Sequence, residues 1–278
     1  MKQFEITNFL ESKFPNTLAS QFDVGKIGLQ FGSKDKRIDK IIIALDGTRD
    51  VVDEAIEKKC DLLITHHPFM FFPLLSVDYD SAFGKKLLKI FNAKLNVYSM
   101  HTNFDTALGG MNDILASLLK LENIRAEKEE IDNDCFIRIG EIAPIKLKDY
   151  VSIVNKNLQK SVIRYVGCDE KILKRVGIIG GAGANELNNA IKLGCDCLIT
   201  GEVKHNQALD ALEKGIAVIE VSHSVEALFK GYLQEILIKE FPTCEIIISQ
   251  NESDPFKSFQ WFVKFLTFTV QKFNKNKK

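Results

Sequence analysis

KIIIALDGTRDVVDEAIEKKCDLLIT, residues 40–65, and RVGIIGGAGANELNNAIKLGCDCLIT, residues 175–200, match each other at a constant offset of 135 residues. Ala55-Ile56 falls on Ala190-Ile191, Cys60-Asp61 on Cys195-Asp196, and Leu63-Ile64-Thr65 on Leu198-Ile199-Thr200. Both copies have the same physical grammar. A β-branched run (Ile41 to Ile43; Val176 to Ile179) reads as a buried strand. A turn rich in Gly, Asp or Asn follows, then a helix of about ten residues that carries the Ala-Ile pair. A second short buried strand ends at Thr. Strand, helix and strand in that order predict parallel pairing with a right-handed crossover.

Working outward, each copy continues with a polar or His-bearing loop, a further helix and another strand, Leu95 to Met100 and Ile216 to Ser222. Those strands deliver His101 and His223, followed by Asp105 and Glu226 respectively. The fold class is therefore α/β, built as two related modules by internal duplication. The first module spans residues 1–120, a connecting segment 121–165, the second module 166–256 and a C-terminal extension 257–278. The connecting segment, with its charged run Arg125 to Asp134, is expected to hold strands and a helix rather than a separate domain. After Asp254, Phe and Lys dominate and the chain ends NKNKK, which reads as an appended amphipathic helix with a frayed tail.

Thirty-seven basic residues balance thirty-seven acidic ones in 278 residues, so a constitutive polyanion binder is not expected and a nucleic-acid partner is disfavoured. The six cysteines form no CxxC pair and are expected to be buried, reduced thiols. The opening MKQFEITNFLESKF alternates like an amphipathic helix rather than a secretory signal, and the apolar stretch Trp261 to Val270 is interrupted by Lys264. A cytoplasmic location away from the membrane is expected.

Four of the five histidines, His66, His67, His101 and His223, follow strand ends, where open α/β sheets bind ligands. His66-His67 can reach one cluster only if the backbone leaves the strand, and Pro68 favours that departure. Asp105 lies within one turn of His101, although Asn103 and Asp105 would also serve as helix caps. His223 and Glu226, three apart, share a helix face; an ordinary surface pair would look the same. Together these motifs offer three imidazoles and two carboxylates, too many for one catalytic zinc and enough for two cations. Thr200-Gly201-Glu202-Val203-Lys204-His205 sets further polar groups at a matching strand end. Gly180-Gly181-Ala182-Gly183 resembles a phosphate-cradling turn but lacks the GxGxxG spacing and a P-loop Lys.

LITHHPFMFFPL, MHTNFDTALGGMND, LITGEVKHNQALDA and VSHSVEALF, in that order, resemble the motifs of the GTP cyclohydrolase 1 type 2 homologue family, also called the Nif-three-like family. The resemblance covers about Phe4 to Phe256 and corresponds to the minimal form without an inserted domain. It implies a dinuclear metal site in the cleft between the modules, with His66, His67, Asp105, His223 and Glu226 as ligands and His101 beside them. It also implies a toroidal homohexamer, a trimer of dimers. Two departures stand out: Phe71-Phe72-Pro73 occupies a loop that usually holds a Lys, and Ser222 stands where Gly often precedes the histidine.

The expected function is hydrolysis of a nucleotide or other phosphorylated small molecule, dependent on two divalent ions (Zn, Fe or Mn), with Glu202 and His101 as the candidates for proton handling. The alternative is a non-catalytic metal-handling or regulatory protein, a chaperone or store.

Overall fold

The computed structural model describes residues 1–126, 136–159 and 162–257. The Phe/Lys-rich tail beyond Lys257 and most of the run Arg125 to Asp134 lie outside these residues. The chain starts with α1 (Gln3–Lys13), β1 (Gly28–Phe31), β2 (Lys40–Ala44), α2 (Arg49–Glu57), β3 (Leu62–Thr65), α3 (Ala82–Ala93), β4 (Asn96–Ser99), α4 (Thr102–Thr106) and α5 (Met111–Leu118). β5 (Glu122–Arg125), β6 (Arg138–Lys146) and α6 (Leu147–Leu158) follow. The rest comprises β7 (Arg164–Val166), β8 (Ile172–Ile178), α7 (Leu187–Lys192), β9 (Cys197–Thr200), α8 (His205–Lys214), β10 (Ala217–Glu220), α9 (Leu228–Glu240) and β11 (Glu245–Ile248).

Among the described residues the strands form two sheets, ordered β1-β4-β3-β2-β11 and β5-β6-β8-β9-β10-β7. The repeated units are their parallel centres, β2-β3-β4 and β8-β9-β10. The sequence offset survives in the register: Ile41 pairs with Leu62, and Val176, 135 residues beyond Ile41, pairs with Cys197. The repeated Cys-Asp has a physical reason. Asp61 Oδ2 accepts the N–H groups of Asp39 and Lys40 at 2.9 and 3.1 Å, and Asp196 Oδ2 accepts those of Lys174 and Arg175 at 2.8 and 2.9 Å. Each carboxylate thereby fixes the start of the neighbouring strand, using backbone donors that would otherwise need water.

Alternation along the buried strands sends residues into two layers. Ile41, Ile43, Ile64 and Phe104 of the first module join Ile178, Ile199, Phe229 and Leu233 of the second in one continuous core. Ile42, Val52, Ala55 and Leu63 pack in a separate cluster with α2, as do Leu187, Ala190 and Leu198 with α7. The modules therefore share a core. They also share a sheet: β11, near the end of the described chain, pairs in parallel with β2, Ile246 opposite Ile41.

Two local differences from the sequence reading have clear causes. The second repeat's helix is shorter than ten residues, because Gly183–Glu186 is a 3-10 turn and α7 has only six. Gly183 donates to Thr200 Oγ1 at 3.0 Å, and a Cβ there would lie 2.3 Å from Ile179, so the chain enters tightly wound. Cys60, Cys195, Cys197 and Cys244 are buried free thiols, but Cys168 is exposed, in the loop between β7 and β8; Cys135 lies outside the described residues. Among the described residues, no helix is long and apolar enough to cross a membrane.

Glu54 ties α2 to the segment after β11. It is 2% exposed, and its carboxylate accepts Ser249 Oγ, the N–H groups of Gln250 and Asn251, and the Lys58 ammonium. Burial works against the charged form, but these donors outweigh it and hold the pKa at about 2, against an ordinary 4.5. A depressed carboxylate contributes its full stability above the unfolded value and loses it as pH falls toward the folded one. Glu54→Gln is accordingly expected to cost about 2–3 kcal/mol in urea unfolding at pH 7, with the gap from wild type narrowing by pH 3.

Candidate metal centre

β3 ends at Thr65, and its side chain secures the exit. Thr65 Oγ1 donates to the His67 carbonyl at 2.8 Å and contacts Ser99 Oγ at 2.9 Å. The backbone then leaves the strand, so His66 and His67 set their rings 5.2 Å apart rather than on opposite faces. Asp105 lies on α4, which follows β4 and starts just after His101. His223 and Glu226 lie on the 3-10 turn His223–Ala227, where residues three apart eclipse.

Glu226 is the hub. Its Oε2 is 3.0 Å from His67 Nε2, 3.0 Å from His223 Nε2 and 3.7 Å from His66 Nε2, and Asp105 Oδ1 is 3.4 Å from His66 Nε2. Donor atoms of His66, Asp105 and Glu226 lie within 4.8 Å of one another, as do those of His67, His223 and Glu226. Glu226 belongs to both sets. His66, His67 and His101 form a third group within the same limit, so His101 lies against the cluster. His205 is exposed, at the start of α8, and is in none of these groups.

Three imidazoles each carry a carboxylate on Nδ1: Asp46 on His67 at 2.7 Å, Glu202 on His223 at 2.7 Å and Asp23 on His101 at 2.9 Å. Such partners fix ring orientation and tautomer, and metal-ligating histidines characteristically have them. Asp23, wholly buried, also accepts the Thr102 N–H and hydroxyl. The sequence reading missed Asp23 and Asp46. Asp46 does lie in the repeated turn, opposite Gly181 at the 135-residue offset; Asp23 had no pattern to mark it.

Electrostatics separate the groups. Burial pushes His66 well below its usual pKa, keeping it neutral. Burial also opposes charge on His67, but its bonds to Asp46 and Glu226 prevail and raise it to about 10. His223 is raised chiefly by its bond to Glu226. Burial and then the Glu226 charge push Asp105 well above the carboxylate range; Glu226 itself is held far below it, because His223 and His67 outweigh its burial. The residues fit a metal ion. Both His66 ring nitrogens and Asp105 Oδ1 are buried with no hydrogen-bond partner among the described residues, and such orphans call for an ion or water. Mixed imidazole and carboxylate donors suit Zn, Fe or Mn.

The glycine turn after β8 serves this cluster. A Cβ on Gly181, whose φ is +55°, would sit 2.6 Å from Glu226 Oε1, and one on Gly201 would sit 3.0 Å from the His223 Cα. Ser222 explains the second departure from the family motif: its φ of 70° and ψ of 140° suit glycine. Its hydroxyl reaches Asp254 Oδ2 at 3.3 Å. Register also shows that His101 and His223 are not strict counterparts. Ser99 faces Thr65 and Glu220 faces Thr200, so Ser222 is the equivalent of His101.

The chain is similar to known proteins over most of its length. A "GTP cyclohydrolase 1 type 2 homolog" of Clostridium acetobutylicum is 34% identical over 267 residues, covering 92% of this chain and 98% of the relative. A Listeria innocua protein of the same name aligns over 367 positions at 26% identity, so it carries a stretch this 278-residue chain lacks. The crystal structure of a Staphylococcus aureus hypothetical protein superposes with a TM-score of 0.84 at 27% identity, covering 93% of this chain and 99% of that one. A Bacillus cereus protein related to NIF3 gives 0.84 at 25%, with the same coverage. The sequence model of one family matches residues 1–255, and the chain belongs to that family, Duf34/NIF3 (NGG1p interacting factor 3).

Proposed function

We propose that this protein is a dinuclear metal-dependent hydrolase acting on a nucleotide or another phosphorylated small molecule. The observation that carries the reading is the buried approach of Asp105 and Glu226 around neutral His66, beside His67 and His223. Two carboxylates so close and so dry can both be ionised only beside added positive charge. His66, Asp105 and Glu226 would hold one cation, and His67, His223 and Glu226 the other. When bound, the ions would supply Lewis acidity and a lowered water pKa. The chain's own groups do the rest: Asp46 and Glu202 hold the His67 and His223 rings, and His101, steadied by Asp23, and Glu202 lie where protons can be held or moved. The name carried by the clostridial relative supports a nucleotide substrate. Assembly as a homohexamer and a cytoplasmic location belong to the same reading.

Elemental mass spectrometry is expected to find about two metals per chain in wild type, and a sharp loss in His67→Ala and Glu226→Ala, together with turnover on a nucleotide and phosphoester panel. Two metals without turnover on any substrate would favour a metal-handling protein. Because the His67 pKa is about 10 without metal, a cation must displace its proton at neutral pH. Apparent affinity should therefore rise with pH between 6 and 9, about tenfold per unit for each proton released, in chelator-competition titrations. Gly181→Ala is expected to push Glu226 aside, lowering metal content and costing about 1–3 kcal/mol of stability.

A further inference from the structure

Lys230 and Glu252 form an ion pair that the metal-centre account leaves unused. Lys230 lies on α9, four residues beyond Glu226, on the helix that continues the turn carrying His223 and Glu226. Its Nζ donates to Glu252 Oε2 at 2.7 Å, and the two side chains are only 15% and 7% exposed. The Glu252 carboxylate in turn accepts the N–H groups of Leu45 at 3.0 Å and Asp46 at 2.6 Å. Asp46 holds His67 Nδ1 at 2.7 Å. A line of hydrogen bonds thus runs from α9, which continues the turn of His223 and Glu226 in the second module, through Glu252 and Asp46 to the imidazole of His67 in the first. Two residues after Glu252, Asp254 receives the hydroxyl of Ser222, the neighbour of His223.

We propose that Lys230 and Glu252 are positioning residues that fix the Asp46 loop, and through it the His67 ring, at the spacing from His223 and Glu226 that a divalent cation requires. The proposal rests on the metal-centre reading above. A nearly buried ion pair gains little net stability, because desolvation offsets its attraction, so its use here is geometric. Glu252 is suited to that use, since two successive backbone donors and one ammonium leave its carboxylate little freedom. The His66 ring makes no hydrogen bond to this line among the described residues, and Asp105 lies on α4. The pair should therefore act on one of the two donor sets and spare the other.

The test is a titration of the metal-stripped full chain with Zn²⁺ and Co²⁺ against a competing chelator. Wild type should bind in two steps. Glu252→Gln and Lys230→Met should weaken one step by about 10–100-fold, the usual effect of losing such a partner, and shift the Co²⁺ absorption of that step alone. Lys230→Arg, which keeps the charged donor, should stay close to wild type. If a single variant melts below the assay temperature, the double variant Lys230→Met with Glu252→Gln, which leaves no unpaired buried charge, carries the test. Two unchanged steps would overturn the proposal. So would two steps weakened equally, in parallel with the melting temperature of the metal-free protein, since that describes a purely structural pair. If wild type shows no step, the metal-centre reading fails and takes the proposal with it.

Discussion

The arrangement depends on one buried charge. Glu226, 3% exposed, lies among three imidazoles from two modules, and its Oε2 is close to all three. A carboxylate loses several kcal/mol of hydration on such burial unless partners surround it. Much nearby structure follows from that need: glycine at 180 and 181 makes room for the carboxylate, and the 3-10 turn eclipses His223 with it. The shared core beneath keeps both modules in register with each other.

The duplication provides the frame but not the chemistry. Position 67 is histidine in the first repeat, and its counterpart at 202 is glutamate; Asp46 is matched by Gly181. The same backbone therefore presents an imidazole with its carboxylate partner on one side. On the other it presents a carboxylate, Glu202, that reaches a histidine from a later turn. A pseudo-symmetric scaffold thus yields an asymmetric cluster, with Glu226 common to both donor sets.

The repeated strand–helix–strand units were legible in the sequence, because strands buried on both faces carry unbroken apolar runs and because the Cys-Asp pair answers a local backbone need. Histidines at strand ends could be read for a related reason: β3 has to stop where its polar residues begin. Asp23, Lys230 and Glu252 could not be read. Asp23 and Glu252 act on segments far off in the chain, 78 residues for Asp23 with His101 and 206 for Glu252 with Asp46, Lys230 acts only through Glu252, and no periodicity marks such meetings. The pairing of Ile246 to Ile248 with β2 was not legible either, because nothing in that run names the first sheet as its destination. Ser222 looked like a deviation from a motif until its positive φ showed what the position demands.

The return of β11 to the first sheet has a consequence for synthesis. Ile41 pairs early with Leu62 but finds its second partner only at Ile246, so a ribosome must add about two hundred residues before β2 gains its second neighbour. Until then one edge of β2 offers unpaired backbone groups, and Glu54 waits for Ser249, Gln250 and Asn251. The first half of the chain is therefore born with an open edge that only its own far end can close, and its folding is coupled to completion of the second half.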